Sequence, residues 1–193
     1  MNFIGIDDAE FIRGKVPMTK QEIRILSLVK AHIAPAAIVA DIGAGTGSFT
    51  VEAARLASIG KVFAIERNSE GVELIKANAE KFNLSNIEII AAEAPCGLAK
   101  LPKLDAVFIG GSGNKLPAIL AEIAPKLKAA GRIVINCITL QTLMQTIDYM
   151  RAQADIFSYE TIMVQVNHWQ QHGLYDMAKA ENPIYIITCI KKG

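Results

Sequence analysis

A glycine-rich loop is the stretch of the sequence best suited to hold a ligand. It runs from Asp41 to Gly47 as Asp-Ile-Gly-Ala-Gly-Thr-Gly, follows an apolar run and opens a helical segment at Ser48. Glycines allow a sharp turn and a close approach to a ligand, and free N–H groups at a helix start can donate to that ligand. This order of strand, loop and helix predicts a cofactor site at the carboxyl end of a sheet. The loop residues expected to contact the cofactor are Asp41, Gly43, Ala44, Gly45, Thr46 and Gly47.

The glycine spacing indicates which cofactor the loop holds. A dinucleotide-binding loop has the spacing G-x-G-x-x-G, and its third glycine would fall at Ser48. The spacing here is G-x-G-x-G with an acid two residues before it, a pattern typical of enzymes that use S-adenosylmethionine (SAM). The loop therefore favours SAM over NAD, and a purely structural turn is the alternative.

Acidic residues follow near the ends of the next two apolar runs. Glu66 stands about twenty residues after the loop, where a carboxylate accepts hydrogen bonds from a ribose diol. The same acid would serve NAD, so it indicates a nucleoside without choosing the cofactor; a charge at a helix start is its alternative role. Glu93 and Ala94 stand where such folds contact an adenine ring, and a surface acid followed by a turn is the alternative there.

The elements that must position these residues are apolar runs of strand length alternating with amphipathic segments. Strands covered by helices on both faces appear as continuous apolar runs, so the alternation predicts a parallel, doubly wound sheet. The predicted strands are Ile38–Ile42, Val62–Glu66, Ile87–Ala91, Ala106–Ile109 and Ile133–Ile138. The predicted helices between them are Phe49–Ala57, Ser69–Phe82, Lys115–Leu127 and Leu140–Ala154.

Both ends of the chain depart from this alternation. Thr19 to Glu22 has the form of a capping box, which predicts a first helix with Thr19 as its N-cap and Pro35 after its end. Near the other end, the runs 161–166 and 184–189 are strand-like, and no good helix separates them. They are expected to pair as an antiparallel hairpin added to the parallel sheet.

Together these elements predict an α/β, Rossmann-like fold of the class I SAM-dependent methyltransferase type. The expected sheet is seven-stranded and mainly parallel, with a C-terminal antiparallel hairpin and helices on both faces. Residues 1–193 are expected to form a single domain, with residues 1–35 as an N-terminal entry segment and helix.

The composition narrows the function classes. The chain carries 20 basic and 19 acidic residues, a net charge of +1, whereas nucleic-acid binders usually have a basic surplus. No apolar run approaches the roughly 20 residues of a membrane span, and the N-terminus lacks the apolar segment of a signal peptide. We therefore expect a cytoplasmic protein without nucleic-acid or membrane partners.

Cysteines and histidines offer little for metal or redox chemistry. Cys96, Cys137 and Cys189 are far apart and fit neither a disulfide framework nor a zinc site, so each is expected to pack as a small apolar residue. His168 and His172 have a spacing that could bind metal on a helix, but no third ligand is evident. A polar loop or interface is the preferred interpretation, and no metal is expected.

Several stretches across nearly the whole chain are more specific than the glycine loop, which is common to many methyltransferases. The most specific are Gly14-Lys15-Val16-Pro17-Met18-Thr19-Lys20 and the Ile-Gly-Gly-Ser-Gly sequence of residues 109–113. Two further stretches are Gly131–Asn136 and Asn182–Thr188. In these stretches and in the glycine loop, the chain resembles the cobalt-precorrin-6B C15-methyltransferase (decarboxylating) family of cobalamin biosynthesis.

The resemblance implies a site and a reaction. SAM contacts are implied at Thr19, the glycine loop, Glu66 and Ala94. The implied reaction is methylation of C15 of a corrinoid with decarboxylation of its C12 acetate; no dedicated base is required, and no catalytic residue is assigned. Substrate contacts are expected at Lys15, Gly111, Ser112 and Asn114, with Arg13, Lys20, Lys115 and Arg132 as further candidate cations. For any one of these cations, Lys15 included, a solvated surface charge is the preferred interpretation. A homo-oligomer, a tetramer, is implied as well.

Three other functions stay open from the residues alone. One is a SAM-dependent methyltransferase that acts on RNA or another small molecule, and the balanced charge counts against RNA. Another is an NAD-dependent oxidoreductase, opposed by Ser48 and the terminal hairpin. The third is a non-catalytic Rossmann-like module that binds a partner.

Overall fold

A computed structural model describes residues 4–193 and contains five α-helices and nine strands in that range. The helices are α1 (Gln21–Ala31), α2 (Ser48–Leu56), α3 (Ser69–Lys81), α4 (Leu116–Ile123) and α5 (Leu140–Ala152). The strands are β1 (Ile38–Ile42), β2 (Lys61–Glu66), β3 (Ile87–Ala91), β4 (Leu104–Ile109), β5 (Leu127–Cys137), β6 (Phe157–Val164), β7 (Asn167–His172), β8 (Tyr175–Ala180) and β9 (Ile184–Lys191).

Seven of these strands form one sheet in the order β3-β2-β1-β4-β5-β9-β6. Strands β1 to β5 pair in parallel, and β9 runs antiparallel between β5 and β6. The order reverses between β1 and β4, and the crevice beyond the carboxyl ends of strands at such a point is where α/β sheets bind ligands. The predicted sheet, including its antiparallel addition, is confirmed.

Alternating side chains of the strands fill a core on each face of the sheet. Val39 of β1 packs with Phe49 of α2 on one face, whereas Ala40 and Ile42 pack with Leu116 and other side chains of α4 on the opposite face. Full burial of one such large apolar side chain stabilises the fold by about 1.5–3 kcal/mol. Helices therefore cover both faces, as predicted, and hold the strand ends in fixed positions.

A buried arginine ties down residues 5–20, which we call the N-terminal strap. Arg24 of α1 is fully buried; its Nε donates to Glu52 at 2.6 Å, and its two terminal nitrogens donate to the carbonyls of Thr19 and Ile6. Arg24 thereby holds both ends of the strap against α1 and α2. Removing one partner of such a buried ion pair typically costs about 3–5 kcal/mol.

The predicted capping box is not formed. The helix begins at Gln21 with Lys20 as its N-cap, and no side chain in the described residues caps that position. The carbonyl of Thr19 instead accepts a hydrogen bond from Arg24 at 2.7 Å. Because Arg24 keeps Thr19 in the strap, the assignment of Thr19 as N-cap was wrong.

The connection from α4 to β5 also differs from the prediction. The helix expected over 115–127 ends at Ile123, and β5 begins at Leu127 rather than Ile133. The pairing of β4 with β5 shifts register between Leu104 and Ala106, and Ala130 there has a left-handed φ of 59°. This irregular stretch lies at the start of β5, where no continuous apolar run indicates a strand in the sequence.

An exposed hairpin lies between the two strands predicted to pair. β6 and β9 do pair antiparallel, with Thr161 opposite Ile187, but β7 and β8 form a second hairpin between them. Nearly all residues of this hairpin are exposed, so no buried alternation marks its strands. His168 and His172 lie on β7, where a spacing of four residues separates them by about 13 Å. The two histidines therefore do not lie on a helix, and the stretch preferred as a polar loop or interface is an exposed strand.

Residues 4–193 contain no group of three or more His, Cys, Asp or Glu side chains arranged to hold a metal ion. Within the same residues, no helix has both the length and the apolar character needed to cross a bilayer.

Candidate active site

A cavity of about 650 Å³ opens at the carboxyl ends of the central strands. The glycine loop after β1 forms one wall, and the loop of residues 110–113 after β4 lies beside it. Val16 to Lys20 of the strap form another wall, although they lie far from these loops in the sequence. The ends of β2 and β5 and the segment after β3 also contribute to the lining.

Most residues assigned from the sequence meet in this cavity. The cofactor candidates that line it are Thr19, Asp41, Gly43, Ala44, Gly45, Thr46, Glu66, Glu93 and Ala94, and the substrate candidates are Gly111 and Ser112. Of the described residues, Gly47, Lys15 and Asn114 are assigned but do not line it. Gly47 is the N-cap of α2 and packs on Ile75 of α3, and Lys15 is exposed, with its backbone N–H donating to Glu70.

Two glycines let neighbouring loops approach closely. A Cβ on Gly43, whose φ is +71°, would lie 2.6 Å from the carbonyl oxygen of Gly111. A Cβ on Gly45, whose φ is +58°, would lie 3.2 Å from the carbonyl oxygen of Pro17 in the strap. The glycine loop is therefore packed between the β4 loop and the strap, and a side chain at Gly43 would force the two loops apart.

Glu66 ends β2 with its carboxylate buried against the glycine loop. One oxygen accepts the N–H of Gly45 at 2.8 Å, and the other accepts the N–H of Asn68 at 2.7 Å. A carboxylate has about four acceptor positions, so Glu66 retains capacity for two further donors. The acid both shapes the loop and faces the cavity.

Asp41 is a second buried acid in the cavity wall. Burial raises its pKa from the usual 3.8 to about 6, the hydrogen bond from the Thr50 hydroxyl opposes that change, and the negative charge of Glu66 adds to it. The Thr50 hydroxyl donates to Asp41 at 2.6 Å. A cationic group placed in this cavity would favour the ionised form of Asp41 and lower its pKa.

Thr46 presents an unpaired hydroxyl in the same wall. In the part of the chain that the structure describes, two buried side-chain polar atoms lack a hydrogen-bond partner, Thr46 Oγ1 and Thr188 Oγ1. Thr188 lies in β9 away from the cavity, whereas Thr46 lines it. An unpaired buried hydroxyl costs about 1–3 kcal/mol, and a ligand that hydrogen-bonds it would remove that cost.

Glu93 draws two cations to the rim of the cavity. Its carboxylate pairs with Lys115 and with Arg67, each at 2.8 Å, and these hydrogen bonds hold the pKa of Glu93 below its usual value. The side chain is thus engaged at the rim, while Ala94 beside it is buried and lines the cavity.

Other lining residues were not found from the sequence. Asn136 near the end of β5 lines the cavity and exchanges hydrogen bonds with Ser27 of α1 at 3.0–3.1 Å. Thr139 and Thr142 at the start of α5 line it too. A position at a strand end or a helix start is compatible with ligand binding. Asn and Thr are so common at these positions, however, that residue type alone could not identify them as part of a site.

The candidate cations and cysteines are scattered. Lys20 lines the cavity, whereas Arg132 lies in β5 and donates to the carbonyl of Lys30.

Cys137 and Cys189 are buried, which raises the pKa of their thiols to about 11 and about 12. Cys96 is exposed, so its assignment as a packed apolar residue was wrong.

Comparison with known proteins places this geometry in a family. The model of the precorrin methyltransferase domain matches residues 10–191. A protein of Sulfurisphaera tokodaii named "Probable cobalt-precorrin-6B C(15)-methyltransferase (decarboxylating)" is 44% identical over 97% of each chain. The crystal structure of precorrin-6y C5,15-methyltransferase from Geobacter metallireducens is 39% identical and superimposes with a TM-score of 0.90 over 97% of each chain.

A more distant structure shares the fold alone. It is a SAM-dependent O-methyltransferase from Thermotoga maritima, 18% identical, with a TM-score of 0.73 over 91% of this chain and 67% of that one. The predicted class I methyltransferase fold is confirmed, and the NAD-dependent oxidoreductase and the non-catalytic module are set aside. The match over residues 10–191 and the full-length identity of 44% show that the chain belongs to the precorrin methyltransferase family.

Proposed function

We propose that this protein uses SAM to methylate C15 of cobalt-precorrin-6B and decarboxylates its C12 acetate side chain. The observation that carries the proposal is a single cavity wall in which the glycine loop, buried Glu66 and the unpaired hydroxyl of Thr46 lie together. The name of the Sulfurisphaera tokodaii relative supports the choice of substrate.

The residues of this wall fit SAM chemically. Glu66 has acceptor capacity left for a ribose diol, and Thr46 has an unused hydroxyl. SAM carries a sulfonium and an ammonium group, and Asp41, whose pKa is about 6, becomes a stabilised anion beside such cations. Ala94, buried at the end of the cavity nearest Glu93, offers backbone groups to an adenine edge.

The chain's contribution to methyl transfer is orientation and exclusion of water. Bound SAM supplies an electrophilic methyl group. The strap and the loop of residues 110–113 both line the cavity, so both limit the directions from which a carbon nucleophile would approach the methyl group. Alignment of two reactants can contribute about 7–11 kcal/mol to lowering a barrier. Decarboxylation releases an electron pair that the conjugated ring accepts, which also depends on how the ring is held.

Cations at the rim support a substrate with many carboxylates. Lys20 lines the cavity, and Arg67 and Lys115 share one carboxylate, that of Glu93, so this trio keeps a net positive charge. Gly111 and Ser112 line the same side. Lys15 and Asn114 lie outside the lining, and their contact with substrate stays a prediction.

A homo-oligomer is part of the proposal. The β7–β8 hairpin exposes large apolar side chains that a second copy of the chain would cover, among them Trp169, Leu174, Tyr175 and Met177. Light scattering coupled to size exclusion tests this point. A tetramer is expected, and a monomer at micromolar concentration would contradict it.

The cofactor choice is tested by calorimetry with SAM, S-adenosylhomocysteine and NAD. We expect binding of both adenosyl compounds and none of NAD. Tight NAD binding with no response to SAM would overturn the proposal.

The methyl acceptor is tested with SAM that carries a radiolabelled methyl group and with two candidate acceptors, cobalt-precorrin-6B and transfer RNA. Label in the corrinoid alone is expected, and label in the RNA would favour the alternative methyltransferase.

A further inference from the structure

Asn78 joins the N-terminal strap to the glycine loop. It lies on α3, is fully buried, and stands outside the cavity lining. Its Oδ1 accepts the N–H of Ile12 at 2.8 Å, and its Nδ2 donates at 3.0 Å to the carbonyl of Ile12 and at 3.0 Å to the carbonyl of Thr46. One side chain therefore binds both backbone groups of a strap residue and the backbone of the loop.

These bonds hold the middle of the strap, whose ends are held elsewhere. Arg24 fixes the carbonyls of Ile6 and Thr19, and Asn78 fixes Ile12 between them. The cavity wall of residues 16–20 begins four residues after Ile12, and the carbonyl of Pro17 in that wall lies against Gly45. The N–H of Lys15 also donates to Glu70 of α3 at 2.7 Å, but Asn78 bonds the strap and the glycine loop at once, through Ile12 and Thr46.

We propose that Asn78 is a positioning residue that sets the strap against the glycine loop and so fixes the width of the cofactor cavity. It acts through Ile12 and Thr46 and contacts no ligand. The inference rests on the proposed use of SAM. SAM binding by the wild type tests the proposed function separately. If the proposed function is wrong, the wild type does not bind SAM. If only the inference about Asn78 is wrong, the wild type binds SAM and the variants bind it equally well.

Asn86 offers a matched control. It also uses Nδ2 to donate to two backbone carbonyls, those of Ala54 and Ala57, at 3.0 and 2.8 Å, but it lies outside the cavity lining. Asn78→Asp and Asn86→Asp each remove the two hydrogen bonds that Nδ2 donates to backbone carbonyls. A merely structural role predicts that both variants lose stability and that neither loses affinity for SAM once folded.

A second pair of variants tests the contact of Asn78 with Ile12 from the strap side. Ile12→Pro removes the N–H that Asn78 accepts, whereas Ile12→Ala keeps it. Both variants shorten the Ile12 side chain, which is 41% exposed, so Ile12→Ala controls for that loss. Phe11 has φ −84° and ψ 141°, an extended conformation that tolerates a following proline. This pair leaves α3 unchanged, so the test does not depend on whether Asn78→Asp folds.

The measurements are calorimetric dissociation constants for SAM and rates of trypsin cleavage at the exposed residues Arg13 and Lys15, on variants shown to be folded by circular dichroism. We expect Asn78→Asp and Ile12→Pro to raise the dissociation constant about tenfold or more and to speed cleavage in the strap by a similar factor. Asn86→Asp and Ile12→Ala should stay within about twofold of wild type. Wild-type affinity and cleavage in folded Asn78→Asp, or in Ile12→Pro, would overturn the inference.

Discussion

The carboxylate of Glu66 accepts the backbone N–H of Gly45 at 2.8 Å. This bond links the end of β2 to the glycine loop after β1, so the acid that faces the cavity also fixes the loop's shape. Its second oxygen accepts the N–H of Asn68, the N-cap of α3. Loss of this carboxylate would therefore change the conformation of the glycine loop as well as weaken ligand binding.

Glu66→Gln is expected to weaken SAM binding by about 1.5–3 kcal/mol, roughly a tenfold or greater rise in the dissociation constant. The amide has a single acceptor oxygen, so its NH₂ group faces either Gly45 or Asn68. Calorimetry measures the effect. Glu88→Gln is the control, because Glu88 pairs with Lys61 in the same sheet and does not line the cavity. Equal affinities for wild type and Glu66→Gln would remove the proposed role.

Thr46→Val is expected to stabilise the ligand-free protein by about 1 kcal/mol or more while weakening SAM binding. The hydroxyl has no partner in the free protein, so its removal ends a desolvation cost. Thr188→Val removes the other unpaired buried hydroxyl and should stabilise the protein without changing affinity. Urea unfolding and calorimetry on both variants separate the effects. A loss of stability in Thr46→Val would show that its hydroxyl is satisfied in the free protein.

Asp41 should make stability depend on pH in mildly acidic solution. Its pKa is about 6 in the folded protein against 3.8 ordinarily, so the folded state binds the proton more tightly than the unfolded state. The resulting stabilisation is complete below about pH 3.8 and is lost as pH rises through about 6, a change of about 3 kcal/mol.

The variant Asp41→Asn isolates this contribution. Its amide oxygen can still accept the Thr50 hydroxyl, and it does not titrate. The difference in unfolding free energy between variant and wild type, measured with urea from pH 4 to 7, should therefore shift in favour of the variant as pH rises. A difference independent of pH would place the pKa of Asp41 near its ordinary value.

The three thiols should differ in reactivity. Cys96 is exposed, whereas burial raises the pKa of Cys137 to about 11 and of Cys189 to about 12, which leaves almost no thiolate near neutral pH. With a chromogenic disulfide reagent at pH 8, one thiol should react quickly and two only after unfolding in denaturant. Alanine at Cys96 should abolish the fast phase. Three equal rates in the folded protein would contradict this assignment.

Local signals in the sequence were sufficient to predict much of the cavity lining. The glycine spacing, Glu66 at a strand end and Ala94 after β3 are each positioned by the strand immediately before them. A parallel sheet necessarily brings such strand ends to one edge, and these residues do line one cavity. The strand pairing of β6 with β9 followed from the same kind of pattern.

Long-range contacts account for what was missed. The strap reaches the cavity because Arg24 and Asn78 hold its backbone, and Asn78 binds Ile12 across 66 residues of sequence. Every residue has a backbone carbonyl, so the sequence does not show which carbonyl a buried side chain will bond. Neither the contact of Asn78 with Ile12 and Thr46 nor the displacement of Thr19 from the helix start could therefore be predicted. The β7–β8 hairpin was missed for a different reason: an exposed pair of strands has no buried face to impose alternation.

The central claim is tested most directly by the mass of the corrinoid product. Purified protein is incubated with SAM and cobalt-precorrin-6B, and the corrinoid and S-adenosylhomocysteine are followed together by mass spectrometry. The account predicts a product that has gained one methyl group and lost carbon dioxide, with one S-adenosylhomocysteine formed per product. A corrinoid of unchanged mass, or one that is methylated but retains its C12 carboxylate, would contradict it.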